Sequence, residues 1–218
     1  MKSNIEKLTE FDKSQGVVII GTDEAGRGSA VGAVFASAVY FNNLDKSLIN
    51  SLSKLNDSKQ ISAKVREELY SVIKNNTVNS TISIDAEEIE RDNILNASLH
   101  AMRLAVNNVA KRINNNDNIL VLVDGCQLIK GLSFNQKYII KGDSQSASIA
   151  AASILAKVER DNYIIKLSKQ YPEYFWQNNM GYLTNEHIDA IDRFGLTPYH
   201  RKSFLEKHFA KQNQLKLF

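Results

Sequence analysis

The sequence has little with which to staple itself together or to interrupt its own regular structure. Among 218 residues there is one cysteine, Cys126, so no disulfide forms within the chain, which suits a reducing compartment. Two prolines and ten glycines are present, with no Gly/Ser linker, no repeat and no low-complexity segment to divide the chain. That length and even composition predict one domain with a sizeable core. No apolar run approaches the roughly 20 residues that a membrane-spanning helix requires. Met1–Ser14 carries Glu6, Glu10 and Asp12 and lacks the apolar segment of a signal peptide. A soluble, cytoplasmic protein with no membrane partner is expected. A strong excess of one charge is lacking too: 27 basic residues face 24 acidic ones, for a net +3. So mild a balance does not establish a nucleic-acid partner, and the distribution says more. Arg193, Arg201, Lys202, Lys207, Lys211 and Lys216 gather in the last segment, while acids gather near residues 85–92.

What the chain does have is organised around Gly21-Thr-Asp-Glu-Ala-Gly-Arg-Gly28, which hangs on the apolar run Val17–Ile20. The β-branched run predicts a buried strand, and the glycines after it predict a sharp end. Asp23 and Glu24 then lie at the carboxyl end of a strand, where open α/β sheets build their sites. Adjacent strand residues point to opposite faces, so one pocket uses both carboxylates only if the backbone bends. Gly26 and Gly28 permit that bend and leave room for another backbone to approach. Arg27 offers a cationic fork suited to phosphate or sugar oxygens. The competing reading of the same stretch is a strand-to-hairpin turn with solvated charges.

Val31–Phe41 is long enough to pair with Val17–Thr22 as a hairpin. Asn56-Asp-Ser-Lys-Gln60 reads as a polar loop, and Ser62 as the cap of a helix through Val65, Leu69, Val72 and Ile73. Val78, Ser80, Ile82 and Ile84 alternate as in a half-buried strand, and Asp85 opens an acidic turn. Helical spacing returns over Ile94–Ile113. Ile119–Val123 predicts a buried strand ending in Asp124-Gly125, and Tyr138–Ile140 a short one ending in Lys141-Gly-Asp143. Ser144 or Ser146 then opens a long helix whose small face, Ala147 to Ala156, suits close packing on a sheet. Past Tyr171-Pro172 short helices and polar turns follow. Three strands thus end in acids: Asp23-Glu24, Asp124 and Asp143. Carboxylates that converge there cannot all stay ionised without compensating cations. Oxygen-preferring Mg²⁺ or Mn²⁺ provides such compensation, and two such ions can activate water and stabilise a departing oxygen in phosphoryl displacement.

Seven segments together resemble a known series. Gly21–Gly28, Asn56-Asp-Ser-Lys59, Val123-Asp-Gly125, Lys141-Gly-Asp143, Ala150-Ala-Ala-Ser-Ile-Leu-Ala-Lys-Val-Glu-Arg-Asp161, Gly181-Tyr-Leu-Thr184 and His200-Arg-Lys-Ser-Phe204 are similar, in order and register, to the motifs of bacterial ribonuclease HII. The resemblance runs from about Val17 to Phe204. It implies an α/β, ribonuclease H-like fold with a mixed central sheet flanked by helices. A core over about residues 15–170, a helical C-terminal extension over 171–212 and a tail over 213–218 follow. The implied activity is two-metal hydrolysis of the RNA strand of RNA–DNA hybrids, and incision at single ribonucleotides in duplex DNA, leaving 3′-hydroxyl and 5′-phosphate ends. Asp23, Glu24, Asp124 and Asp143 match the catalytic metal-binding carboxylates, with Mn²⁺ or Mg²⁺ as cofactor. Gly26, Arg27 and Gly28 match the segment that reads the ribose 2′-hydroxyl, the group that separates RNA from DNA. Tyr182 matches the tyrosine at the RNA–DNA junction. The family often has a His-Lys pair where Asn179-Met180 stands here. Arg27 and the short leader favour type II over type III, which usually carries Lys at that position and an N-terminal substrate-binding domain.

Lys59, Arg201 and Lys202 are candidate phosphate contacts, His200 either another or a cap, and Asp161 a ligand or a structural partner. The pentapeptide Gln214-Leu-Lys-Leu-Phe218 resembles the bacterial sliding-clamp-binding motif. Gln214 would fix its register, and Leu215, Leu217 and Phe218 would be the anchors. The alternative is that these apolar residues fold back onto the enzyme. The expected partners are therefore RNA–DNA hybrid, ribonucleotide-containing duplex and a sliding clamp, bound by a monomer engaged in ribonucleotide excision repair beside DNA replication. Two competing classes are a binder that has lost catalysis, which the full set of four carboxylates disfavours, and a small-molecule phosphatase, which has no use for a 2′-hydroxyl reader.

Overall fold

A computed structural model describes residues 4–56, 58, 61–113, 118–206 and 208–210. In chain order the larger elements are α1 (Asn4–Ser14), β1 (Val18–Ala25), β2 (Val34–Tyr40), α2 (Lys46–Ser51), α3 (Ala63–Asn76), β3 (Val78–Ile84), α4 (Ala86–Asp92) and α5 (Ile94–Ala110). They continue with β4 (Ile119–Asp124), β5 (Asn135–Ile139), α6 (Ala147–Gln170), α7 (Trp176–Asn179) and α8 (Asn185–Phe194). The sheet is mixed, in the order β3-β2-β1-β4-β5. β1 pairs antiparallel with β2 and parallel with β4, which pairs parallel with β5.

The β1 register defines where a site can form. Val18–Thr22 pair with β4, whereas Gly21–Ala25 pair with β2. The predicted hairpin exists, but it uses the second half of β1 rather than residues 17–22. The parallel ladder stops at Thr22↔Val123, so Asp23 and Asp124 are the next residues of two adjacent strands. β1 itself continues through both carboxylates to Ala25, and the bend comes only at Gly26, whose φ is +96°.

Alternation along the strands separates two cores. Ile20, Val34, Ala36, Ala38, Val121 and Val123 pack under α5, with Ala97, Ala101, Met102, Ala105 and Val106 from the helix. The opposite face lies under α6, whose alanines allow the approach the composition predicted: a Cβ on Gly21 would lie 2.3 Å from the Ser148 carbonyl carbon. No residue but glycine fits there. Ser146 caps α6, its side chain accepting from the Ile149 amide. A third core joins the distal half of α6 to the extension through Ile164, Leu167, Tyr174, Trp176 and Ile191. Among the described residues no helix is long and apolar enough to cross a membrane.

Three local predictions change. The supposed leader is largely the helix α1, which buries Ile5 and Leu8 beside α6. The acidic turn at Asp85 is an N-cap, accepting from Glu88, and the acids behind it form α4. The last strand starts earlier than predicted, at Asn135, and ends at Ile139.

Candidate active site

Strand register brings the acids together. Asp23 and Asp124 occupy equivalent positions on neighbouring parallel strands, on the face covered by α6. Asp23 is 6% exposed; one of its carboxylate oxygens accepts the Glu24 amide at 2.7 Å, and Ser153 of α6 supplies a hydroxyl. Burial, then Glu24, then Asp124 push the Asp23 carboxyl well above the ordinary carboxylate range. Glu24 moves the same way, chiefly through burial; Arg27 opposes this and Asp124 reinforces it. Asp124 accepts the Gly142 amide at 2.7 Å. Asp143 follows in the turn Gly142–Ser144, entered through Lys141 with φ +55°. The end of β5 thus delivers Asp143 one residue from the group that binds Asp124.

The donor chemistry suits hard divalent cations: the side chains at these strand ends are oxygen donors short of positive charge. Among the described residues, no group of three or more His, Cys, Asp or Glu side chains is drawn together enough to hold an ion. Glu24 turns to Arg27 at 3.1 Å and Asp124 to the Gly142 amide.

Next to the acids the chain makes a platform from segments far apart in sequence. Tyr182 is 43% exposed, and its Cε1 lies 3.5 Å from where a Cβ on Gly28 would be. The segments are tied by the Ala30 amide donating to the Gly181 carbonyl, 3.0 Å, and by the Ser29 hydroxyl, 3.1 Å from that same oxygen. Arg27 is exposed and bonded to Glu24. Lys202, next to Arg201 in sequence, is exposed.

Arg201 is a correction. It is fully buried, not a surface phosphate contact. Its guanidinium donates to the carbonyls of Gly32 (2.9 Å), Gly26 (2.8 Å) and Ser29 (2.7 Å). Its planar fork satisfies a loop whose carbonyls have no regular partners. His200 is likewise buried and belongs to a hydrogen-bond network rather than to the surface. Asp161 is a structural partner, bonded to Lys157 at 2.7 Å and near Arg160 and Arg66. Asn179, where a His-Lys pair was the comparison, is 8% exposed and braces the turn by accepting the Gly181 amide at 2.8 Å. Lys59, Gln214, Leu215, Leu217 and Phe218 lie outside the described residues; Ser58, beside Lys59, bonds Ser153 at 2.9 Å.

Two contributors were not singled out from sequence. Ser153 looked like one more small residue on the α6 face, and only the register shows that it meets Asp23. Arg160 is fully buried, donates to the Met180 carbonyl, and stacks its guanidinium 5.4 Å from the Tyr182 ring centroid. An Arg-Asp pair on a helix gives no sign of burial.

The family model described as Ribonuclease HII matches residues 20–211. Proteins described as ribonuclease HII from Pelagibacter ubique (strain HTCC1062) and Clostridium acetobutylicum are similar. The first is 45% identical over 188 residues, covering 86% of this chain and 95% of that protein. The second is 42% identical over 207 residues, covering 94% and 79%. Among solved structures, the ribonuclease H2 of Pyrococcus horikoshii OT3 superposes with a TM-score of 0.63 at 25% identity, over 85% of this chain and 92% of its own. A chain from the PCNA:RNase HII complex of Archaeoglobus fulgidus shares the fold with a TM-score of 0.64 at 21% identity, over 85% and 94%.

Proposed function

The chain belongs to the ribonuclease HII family of endoribonucleases, and from that premise we propose that it incises duplex DNA at single embedded ribonucleotides as well as cutting the RNA strand of RNA–DNA hybrids. The observation that supports this most is the juxtaposition of the buried Asp23 and the half-buried Glu24 and Asp124, at the ends of β1 and β4, with the Gly26–Gly28 turn and Tyr182. The turn offers backbone groups without a Cβ at Gly28, so a ribose 2′-hydroxyl can approach closely. Tyr182 offers an exposed ring to pack on the sugar next to it. Lys59 and Lys202 add cations for flanking phosphates, and Arg201 serves from behind by holding the turn's carbonyls.

Asp23, Glu24, Asp124 and Asp143 would hold Mg²⁺ or Mn²⁺. When bound there, such ions supply an activated water and stabilise the departing 3′-oxygen. The protein's own part is to bury Asp23 under α6, to present Asp124 at the end of β4 and Asp143 in the turn after β5, and to fix the scissile position against the Gly26–Gly28 turn. A neighbour of the same fold, the Bst RNase HIII in its complex with Mn²⁺, carries that ion, which agrees with the oxygen-only donor set here.

We further propose that Gln214-Leu-Lys-Leu-Phe218 tethers the enzyme to a sliding clamp, raising its local concentration where ribonucleotides are misincorporated. The deciding experiment uses duplex DNA with one ribonucleotide beside a continuous RNA–DNA hybrid, each with Mg²⁺ and with Mn²⁺. Incision of both substrates, with 3′-hydroxyl and 5′-phosphate ends, is expected; an intact single-ribonucleotide duplex would sink the reading. A form ending at Asn213 should lose clamp binding while hydrolysing free substrate unchanged.

A further inference from the structure

Behind Tyr182 lies a buried pair of imidazoles whose protons are assigned by their partners. His187, in the first turn of α8, is fully buried, and His200 is 3% exposed. The Trp176 indole N–H, which can only donate, lies 2.9 Å from His187 Nε2. His187 Nε2 is therefore an acceptor, and its Nδ1–H donates to the Tyr182 carbonyl at 2.9 Å. The Thr197 amide, also only a donor, lies 2.9 Å from His200 Nδ1. His200 consequently carries its proton on Nε2 and directs it at His187 Nε2, 3.2 Å away, where it shares that nitrogen's one lone pair with the shorter Trp176 bond. Every ring nitrogen has a role, and both rings are neutral. Burial lowers the proton affinity of both, which agrees with that assignment.

The pair joins the two walls of the platform. On one side it ends at the peptide of Tyr182. On the other, His200 forms an isolated bridge with Val31 and precedes Arg201, whose guanidinium holds the Gly26 and Ser29 carbonyls. Tyr174 and Trp176 pack on both imidazoles, with ring centroids 5.1 to 6.2 Å away.

We infer that His187, held by His200 and Trp176 in its Nδ1–H tautomer, is a positioning residue that aims the Tyr182 ring at the Gly28 side of the turn. It thereby sets how strongly the enzyme favours an isolated ribonucleotide. The inference rests on the reading above and deepens it. The carbonyl that His187 holds belongs to Tyr182 itself; it also accepts the Thr184 amide at 2.9 Å, so loss of His187 removes one of its two donors and loosens, without freeing, the peptide that carries the ring. A continuous hybrid offers several 2′-hydroxyls for positioning and depends less on that one contact.

The test is a rescue. In His187→Asn the amide N–H stands near the Nδ1 position and can still donate to the Tyr182 carbonyl; in His187→Gln it stands near Nε2 and cannot. With the single-ribonucleotide duplex, His187→Gln is expected to lose roughly tenfold in kcat/KM and His187→Asn less than about threefold, losses of the size that small misplacements produce. On the continuous hybrid both variants stay close to wild type. In a Tyr182→Ala background the two variants become indistinguishable. Equal loss in the Asn and Gln variants, or the same factor with and without the Tyr182 ring, overturns the inference. Nitrogen NMR of the wild-type imidazoles needs no variant to fold: finding His187 protonated on Nε2, or charged at neutral pH, overturns it as well. Wild-type protein that leaves the isolated ribonucleotide uncut defeats the underlying reading, whereas cutting without the rescue pattern defeats the inference alone.

Discussion

Two groups of ionisable side chains flank the Gly26–Gly28 turn, and they are partnered in different ways. At the ends of β1 and β4, Asp23 is crowded by Glu24 and Asp124, with Arg27 the cation bonded to Glu24. Behind the turn, Arg160, Arg201, His187 and His200 are as deeply buried, yet carbonyls and ring nitrogens of matching polarity meet them. The first arrangement is costly to the empty fold, because like charges share a site with little solvent. The second pairs most of its buried polar atoms, as folds generally do, although Arg160 Nε and Arg201 Nη2 find no partner and Arg160 lowers the proton affinity of Arg201. Carboxylates crowd one another at the first site, whereas most buried donors at the second meet an acceptor.

The largest effect expected from this contrast is at Asp124. Asp124→Asn keeps an oxygen for the Gly142 amide and removes one anion from beside Asp23 and Glu24. Cleavage should fall by about three orders of magnitude, the scale of losing a principal metal ligand. Thermal stability without divalent ions should hold or rise. Near-wild-type turnover in the purified variant would remove Asp124 from the site.

Arg201→Met inverts the pattern. The methionine fills the stem's space but leaves the Gly26, Ser29 and Gly32 carbonyls without their donor. Stability should fall by about 3 kcal/mol, as for other losses of a buried hydrogen-bond network. Activity should fall with it. Denaturant unfolding that matches wild type would show that solvent replaces the guanidinium.

How far this contrast was legible differs between its halves. Asp23, Glu24 and Asp124 could be placed because they end β-branched runs that form adjacent strands; Asp143 lies four residues past β5, in the turn Gly142–Ser144. The α6 face was legible from its alanines. The platform was not: whether Arg201 lies outside or inside depends on the carbonyls of a loop about 170 residues earlier, and no local pattern carries that. Likewise α1 has the composition of a charged leader; only contact with α6 shows Ile5 and Leu8 as core. The pairing of β1 was half legible, since periodicity identifies strands but not which half of one meets which neighbour.

The framework also predicts a pH response. Burial, then His187, hold the His200 ring down at about 4, against about 6.5 when unfolded. Above the unfolded value both states are neutral and the fold keeps its full stability. As pH falls from about 6.5 towards 4 the unfolded chain takes up a proton that the fold refuses, at a cost rising to about 3 kcal/mol. His187 moves in the same direction. The melting temperature should therefore drop across this window, and His200→Gln, which keeps the donor towards His187 but cannot titrate, should flatten the drop. An unchanged acid slope in that variant would assign the loss to other groups.

The smallest change probes the space between the two regions. Gly28 has no positive φ to protect, and a Cβ there would meet one neighbour, Tyr182 Cε1, at an ordinary 3.5 Å. Gly28→Ala should therefore alter stability by no more than about 0.5 kcal/mol, as at other unstrained surface positions. It changes no charge and leaves the acids and the buried framework intact. What it adds is a methyl group between the turn and Tyr182, where the proposed reading places the ribose. Incision at a single ribonucleotide should fall about tenfold, near 1.4 kcal/mol. Most of that loss should appear in kcat/KM rather than in thermal stability. The continuous hybrid, with neighbouring ribonucleotides to share the positioning, should lose less. If both substrates are cut as by wild type, the backbone at Gly28 is not where the sugar is read, and recognition has to be sought on the Arg27 side chain instead.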